Sequence, residues 1–355
     1  MTSVRHAHVV GLGLIGASLA LALRDAGWSV TGDDLDDDVV AAALGAGIVA
    51  EREPHDATSL IAIATPAGVV AELAQHYLDR FDDPALLVTD VAGVKGAIVH
   101  DVTDRRFLGG HPMAGSELRG LKGARSDLFE ACTWVLTPTD DTPADVYTRL
   151  HGLLREIGAN VVAVSASDHD RLVALASHVP HLLAGALMNQ AADAAREDAV
   201  LLQLAAGGFR DMTRVAAGDP AIWPDILFEN REAVASSLGA LQERLTSLRD
   251  AVETQDRPTL ERSLSSASLA RRQLPGRALN SESMAYLRVL IADRPGSLAQ
   301  VTTTASEMLV NIYDIEIAHA VEGNRGTLLL AVDAAQAERY MEALRAIDFG
   351  VVRER

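Results

Sequence analysis

The chain's pattern predicts an α/β protein in three parts: a mostly parallel, helix-covered sheet over residues 1–165, an all-helical stretch over 166–273 and, after a linker at 274–283, a βαββαβ module over 284–355. Three observations carry that reading. Short apolar runs alternate with helical patterns through the first half, as a doubly wound sheet requires. The β signal vanishes from about residue 166. A mixed pattern returns after the linker-like "RQLPGRALNSES" (272–283).

In order, "HAHVVGLG" reads as a buried strand and "LIGASLALALRDAG" as a helix stopped by Gly27. "WSVTGDD" is a second strand and "DDDVVAAALGAG" a second helix closed by glycines. "SLIAIATP" and "ALLVTDV" are strands with the helix "GVVAELAQHYL" between them, and "ACTWVLTP" is another strand. "SDHDRLVALASHVPHLLAGALMNQAADAA" has helical periodicity. So does the run after "GDPAIW", where Leu238, Leu241, Leu245, Leu248 and Val252 recur at three- and four-residue steps. Asp219 before Pro220 predicts a helix start, a capping carboxylate followed by proline. Such a long apolar stripe needs a partner, which predicts a homodimer through the helical half. The tail reads strand "MAYLRVLIAD", turn "RPGS", helix "LAQVTTTASEML", strand "VNIYDIEIAHAV", turn "EGNRG", strand "TLLLAVD", helix "AAQAERYMEALRAI" and strand "GVVRER".

Acids outnumber bases 49 to 31, a net charge of −18, in a chain of 355 residues that is 48% hydrophobic. That excludes non-specific binding to nucleic acid or anionic membrane and suits a cytoplasmic protein. Cys132 is the single cysteine, so no internal disulfide forms, and it is expected as a small apolar residue. The apolar run "VVGLGLIGASLALAL" (9–23) has the length of a signal-peptide core but is too short and glycine-rich for a membrane span.

Gly11, Gly13 and Gly16 fill a G-x-G-x-x-G pattern where the first strand turns into the first helix. Glycine there permits a tight turn and lets backbone approach a pyrophosphate, while the helix N-terminus offers free N–H groups. An acid ends the second strand, Asp34, as a ribose-binding carboxylate should. This is a Rossmann-type dinucleotide site, with Leu12 and Ile15 in the same turn, and Thr65 and Pro66 of "ATPAG" expected to line it. "DDLDDD" offers five carboxylates and no arginine, which predicts NAD rather than NADP as the cofactor.

A nicotinamide enzyme that oxidises an alcohol needs a base for the hydroxyl proton, and histidine suits neutral pH. His111 stands out in "GGHPMAGSE", a segment too glycine-rich and proline-broken for a central strand, so the ring is expected on a tight irregular loop after "RFLGG". "ASHVPHLLAG" places Ser177 and His181 four apart, on one helical face if Pro180 leaves the turn intact. "GGFRDMTRVAAGDP" carries Arg210, Asp211 and Arg214, and arginine grips a carboxylate through paired hydrogen bonds. No metal is expected.

"GLGLIGASLALAL", "TDVAGVKGAI", "GGHPMAGSE", "SHVPHLLAGAL" and "GGFRDMTRVAAGDPAIWPDILFEN" occur in this order, and over roughly residues 5–255 the chain resembles the prephenate dehydrogenase family, which includes arogenate and cyclohexadienyl dehydrogenases. The tail, with "DRPGSLAQV" and "VNIYDIEIAH", resembles an ACT domain. The resemblance implies that His111 is the catalytic histidine at the substrate's ring hydroxyl and that Arg214 binds a substrate carboxylate. It places His181 and Ser177 near the substrate and nicotinamide, and Ser116, Glu117 and Asp211 along the pocket. It implies a prephenate substrate, with arogenate as the alternative. An NAD- and amino-acid-binding regulator without activity is the other alternative. Lysine-based 3-hydroxyacid dehydrogenases fit poorly, because residues 166–255 contain no lysine. One position departs: where the family commonly has D-x-x-S-V-K, "DVAGVK" has Gly93, leaving His111 without a serine partner, a gap that water or Ser116 is expected to fill. The ACT resemblance implies tyrosine as effector, near Gly296 and Asn311.

Overall fold

The computed structural model describes residues 4–115, 118, 120–196, 200–218, 220–273, 284–292, 294–319 and 325–353. They group into two units, residues 1–245 and 246–355.

In the first unit, β1 (Arg5–Val10), α1 (Leu14–Asp25), β2 (Trp28–Asp33), α2 (Asp37–Gly45), β3 (Thr58–Ile63), α3 (Ala67–Arg80) and β4 (Leu87–Asp90) alternate as expected. There follow α4 (Gly96–Asp101), β5 (Phe107–Pro112), β6 (Thr133–Thr137), α5 (Ala144–Glu156) and β7 (Asn160–Ala163). The sheet runs β2-β1-β3-β4-β5-β6-β7. The first five strands are parallel; β6 is antiparallel to β5, and β7 is parallel to β6. β3 shows why both faces are covered: Leu60 and Ala62 join one core, Ile61 and Ile63 the other. The chain leaves β1 to β2 on one side and passes to β3 on the other, so a crevice opens at the carboxyl ends between β1 and β3.

His111 corrects one expectation. It lies inside β5, paired with Val135 of β6, and not on an irregular loop. The glycines before it serve close packing rather than a turn. A Cβ at Gly110 would lie 2.9 Å from the Asp90 carbonyl oxygen and from Trp134 Nε1, and one at Gly109 2.5 Å from Thr137 Oγ1. Pro112 is tolerated at the last position of the strand.

The helical half starts with α6 (Ala166–Val173), which passes through a π-turn at Ala174–His178 into α7 (Val179–Ala195). Pro180 would clash with a regular α-helical turn before it; the wider π-turn accommodates it, with Val179 N–H donating to Ala174 O. α8 (Gly207–Thr213), a 3₁₀ turn (Arg214–Ala217), α9 (Trp223–Glu229) and α10 (Arg231–Glu253) follow. The helix start expected at Asp219–Pro220 falls later: α9 begins at Trp223 with Pro224 in its first turn, where a missing N–H costs nothing, and Pro220 sits in a turn before it. Asp219 lies outside the described residues.

The second unit holds α11 (Arg257–Gln273), β8 (Met284–Ala292), α12 (Ser297–Glu307), β9 (Ile312–His319), β10 (Arg325–Asp333), α13 (Ala334–Ala346) and β11 (Gly350–Arg353). Its antiparallel sheet has the order β11-β8-β10-β9. Alternation places Ala285, Leu287 and Val289 of β8 under the helices and leaves Tyr286 and Leu290 exposed. The expected linker at 274–283 lies outside the described residues.

One buried polar group gives the first unit a pH dependence. His8 of β1 is fully buried, with Nδ1 2.9 Å from Thr31 Oγ1 and Nε2 3.0 Å from the Tyr77 hydroxyl. Burial pushes its pKa down from 6.5 to about 4. Between those values the unfolded chain holds a proton that the folded chain refuses, so stability falls as the pH drops through that window. At ~1.4 kcal/mol per unit the full loss is about 3 kcal/mol. Urea unfolding near neutral pH and near pH 4.5 should show this slope in the wild type and a much flatter one in His8→Asn; equal slopes would overturn the assignment.

Candidate active site and nucleotide cleft

The cleft between β1 and β3 is built by glycines that cannot be replaced. Gly11 has φ +91°, and a Cβ there would lie 2.5 Å from the Ala64 carbonyl oxygen; a Cβ on Gly16 would run into the Gly11 carbonyl. Gly13 is different: a Cβ there meets nothing within 4 Å. It caps α1 and makes no side-chain hydrogen bond, so the helix presents its first N–H groups to open space. Leu12 contributes backbone only. Its side chain is buried in the core while its N–H donates to Asp34 Oδ2 at 2.7 Å. Ile15 is half-buried. Thr65 Oγ1 is buried with no hydrogen-bond partner among the described residues, and Pro66 caps α3. An unpartnered hydroxyl, an open helix N-terminus and an acid at the end of β2 fit a dinucleotide. Arg52, which the local reading of "DDLDDD" did not include, reaches this corner and bonds Asp33 at 2.6 Å and Asp37 at 2.7 Å.

The histidine site is a chain of contacts that starts from Asp170 of α6. Asp170 Oδ1 accepts the Lys95 N–H at 2.8 Å, and Oδ2 accepts the Gly96 N–H at 2.7 Å. Oδ1 also lies 2.8 Å from His169 Nδ1. His169 Nε2 lies 2.8 Å from His111 Nδ1, although the two residues are 58 apart in sequence. A carboxylate only accepts, so His169 carries a proton on Nδ1, and with both rings neutral its Nε2 accepts. His111 must therefore donate from Nδ1, which leaves its Nε2 lone pair without a hydrogen-bond partner among the described residues. That nitrogen faces Gly93: an added Cβ would sit 3.8 Å from it.

Electrostatics hold the ring neutral. Burial, then the neighbouring Lys95, His169 and His178, push the His111 pKa well below 6.5. Burial pushes the Asp170 carboxyl up, but the bonds from His169 and the Gly96 and Lys95 N–H groups outweigh it and hold the pKa below the usual value. Lys95 and Asp90 form a fully buried ion pair beneath the site, and Asp90 also accepts from Ala92 and Gly110 N–H.

Of the other expected residues, His181 stacks on Trp223 with ring centroids 3.6 Å apart. His178, which the sequence reading passed over, is buried, sits edge-on to the same indole and is 3.3 Å from Asn230 Nδ2. Ser177 is half-buried on the π-turn, so its spacing to His181 is not that of a plain α-helical face. Arg214 opens the exposed 3₁₀ turn that packs on α7, and a Cβ at Gly218 just beyond it would lie 3.4 Å from His181 Cε1. Asp211 is exposed on α8. Ser116 and Glu117 lie outside the described residues. In the second unit, Gly296 caps α12 with φ +93° and Asn311 is exposed before β9. Among the described residues no group of three metal-ligating side chains occurs.

The chain is similar to known proteins in sequence and in fold. Residues 19–163 match the model of "Prephenate dehydrogenase, nucleotide-binding domain" and residues 165–266 that of "Prephenate dehydrogenase, dimerization domain". A prephenate dehydrogenase of Bacillus subtilis (strain 168) is 32% identical over 94% of this chain and 95% of that protein. The crystal structure of prephenate dehydrogenase from A. aeolicus in complex with hydroxyphenyl propionate and NAD+ superposes with a TM-score of 0.70 at 28% identity, covering 77% of this chain and 99% of that one. Synechocystis arogenate dehydrogenase gives 0.66 at 31%, covering 76% and 100%.

The tautomer assignment is open to a direct check. Long-range ¹⁵N–¹H spectra near neutral pH should show His111 protonated on Nδ1 alone. Asp170→Asn should produce a mixture of tautomers in both His169 and His111. An unchanged spectrum would mean that Asp170 does not set the chain of proton positions.

Proposed function

The chain belongs to the prephenate dehydrogenase family, and from that premise we propose how its residues turn prephenate and NAD+ into 4-hydroxyphenylpyruvate, carbon dioxide and NADH in tyrosine biosynthesis. The observation that carries the reading is the fixed lone pair on His111 Nε2, at the carboxyl end of the nucleotide-binding sheet. NAD+, when bound, accepts the hydride from the ring carbon that bears the hydroxyl. Gly11, Gly13 and Gly16, the α1 N-terminus, Asp34 and Thr65 would hold it.

His111 Nε2 takes the hydroxyl proton. The ring becomes a cation whose Nδ1–H already donates to His169, and the Asp170 charge lies one ring further on. Loss of the ring carboxylate as carbon dioxide leaves an aromatic phenolate, and His111 returns the proton to it, so the base ends as it began. Arg214 is assigned a substrate carboxylate; support comes from its place on a turn packed against α7 beside His181. Ser177, Asp211, Ser116 and Glu117 are assigned to the pocket, and His181, stacked on Trp223, to its substrate side.

Arogenate is the second reading, and the likeness to the Synechocystis enzyme favours keeping it. It differs from prephenate only in an amino group for the side-chain keto group. Against a non-catalytic regulator stands the complete His111–His169–Asp170 chain.

A homodimer through the helical half accounts for apolar residues left exposed there, among them Leu175, Leu204, Met212 and Phe228. The continuous helix Ala166–Ala195 is long and apolar enough to cross a membrane by length and composition. It also carries His169, Asp170 and His178, whose partners are His111 of β5, the start of α4 and Asn230 between α9 and α10, and that supports a soluble, cytoplasmic enzyme. The C-terminal βαββαβ unit is read as an ACT module that takes tyrosine, with Gly296 and Asn311 at the turns beside its sheet.

NADH formation should be measured with prephenate and with arogenate, each with NAD+ and NADP+; turnover with neither substrate would overturn the enzyme reading. His111→Asn should cut kcat by about 10²–10⁴-fold while NAD+ affinity holds. The acid limb of kcat/KM should lie below 6.5, because the base stays neutral to that point. Gly93→Ser should keep or raise turnover, since its Cβ only touches the His111 ring; a clear loss would mean that the open space over Nε2 is needed.

A further inference from the structure

Arg52 lies where no role has yet been given to it. Residues 50–52 run beside β2: Ala50 N–H donates to Val30 O and Gly32 N–H to Glu51 O. Arg52 is thereby carried to the end of β2, next to the ribose-binding acid. Its Nε bonds Asp33 Oδ1 at 2.6 Å and its Nη1 bonds Asp37 Oδ1 at 2.7 Å. Among the described residues its Nη2 has no hydrogen-bond partner. Each oxygen of the neighbouring Asp34 accepts one backbone N–H, from Leu12 at 2.7 Å and from Asp36 at 3.0 Å, which leaves a lone pair on each for a ribose hydroxyl. A guanidinium beside a ribose is the group that takes a 2′-phosphate in NADP-dependent folds, and an acid is the group that refuses it. This corner holds both.

We propose that Arg52 is a 2′-phosphate anchor held silent by Asp33 and Asp37, so that cofactor choice in this chain is set by three carboxylates, Asp33, Asp34 and Asp37, against one arginine. The inference rests on the NAD reading of the cleft but not on the identity of the substrate. Asp34 repels the phosphate and takes the 2′-hydroxyl. Asp33 and Asp37 occupy the guanidinium that would otherwise compensate. Removing Asp34 alone leaves Arg52 clamped, whereas removing the Asp37 charge as well frees one edge of the fork.

The test is calorimetric titration of the full-length protein with NAD+, NADP+ and 2′,5′-ADP, which requires no turnover. The wild type should bind NADP+ far more weakly than NAD+, and Arg52→Ala should leave that weak binding unchanged. Asp34→Asn/Asp37→Asn should gain about tenfold or more for NADP+ and 2′,5′-ADP, as a charge-assisted contact supplies. Adding Arg52→Ala to that pair should abolish the gain. An equal gain with and without Arg52 would overturn the proposal, because relief of repulsion alone would explain it; no gain in a double variant that still binds NAD+ would overturn it as well. Should the double variant fail to fold, Asp37→Asn alone, at a side chain 82% exposed, should show a smaller gain that Arg52→Ala again removes, and its absence would count against the proposal.

Discussion

The site depends on one carboxylate. Asp170 sits on the first helix of the helical half, and its oxygens take the two backbone N–H groups at the start of α4. The same carboxylate fixes the His169 proton, and through it the His111 proton. A single side chain thus docks one element against another and sets the direction in which a base two rings away accepts. Such a bond between an anion and two N–H groups is shorter and stronger than its neutral counterpart. Its removal would leave buried donors unpaired as well as unlocking a tautomer.

Beneath it, the Asp90–Lys95 pair has the opposite character. Both side chains are fully buried, so their attraction is set against the cost of drying two ions, and the net contribution to stability is small. Loss of either partner alone is another matter, at about 3–5 kcal/mol for an uncompensated buried charge. What the pair does supply is place: Asp90 takes the Gly110 and Ala92 N–H groups, so the end of β4 and the strand that carries His111 are tied to one charged centre. After burial, the charge of Lys95 also disfavours a positive charge on His111, and both keep its ring neutral.

Much of this was legible along the chain. The glycine turn, the acid after β2 and the strand–helix alternation are local signals, because each arises from geometry within a few residues. His111 was legible as a residue but not as a strand residue. Its glycines resemble turn glycines, and only the Asp90 carbonyl and Trp134 indole packed against them show that they make room instead. His169 and Asp170 were not legible at all. In "SDHDRLV" they read as the polar first turn of a helix, and a contact spanning 58 residues leaves no periodicity behind. Arg52 escaped for the same reason: the acids it meets are fifteen and nineteen positions upstream.

The π-turn at Ala174–His178 puts an extra residue into a helix that otherwise turns about 100° per position. Everything after it is therefore out of phase with everything before it. His169 and Asp170 keep the phase that serves the sheet, while His181 takes the phase that meets Trp223. One rod thus presents working faces in two directions, which a regular helix of this sequence would not do. Deletion of a single residue from that turn would preserve every side chain named here and still rotate the second half of the rod, separating the two halves of the site by angle rather than by distance.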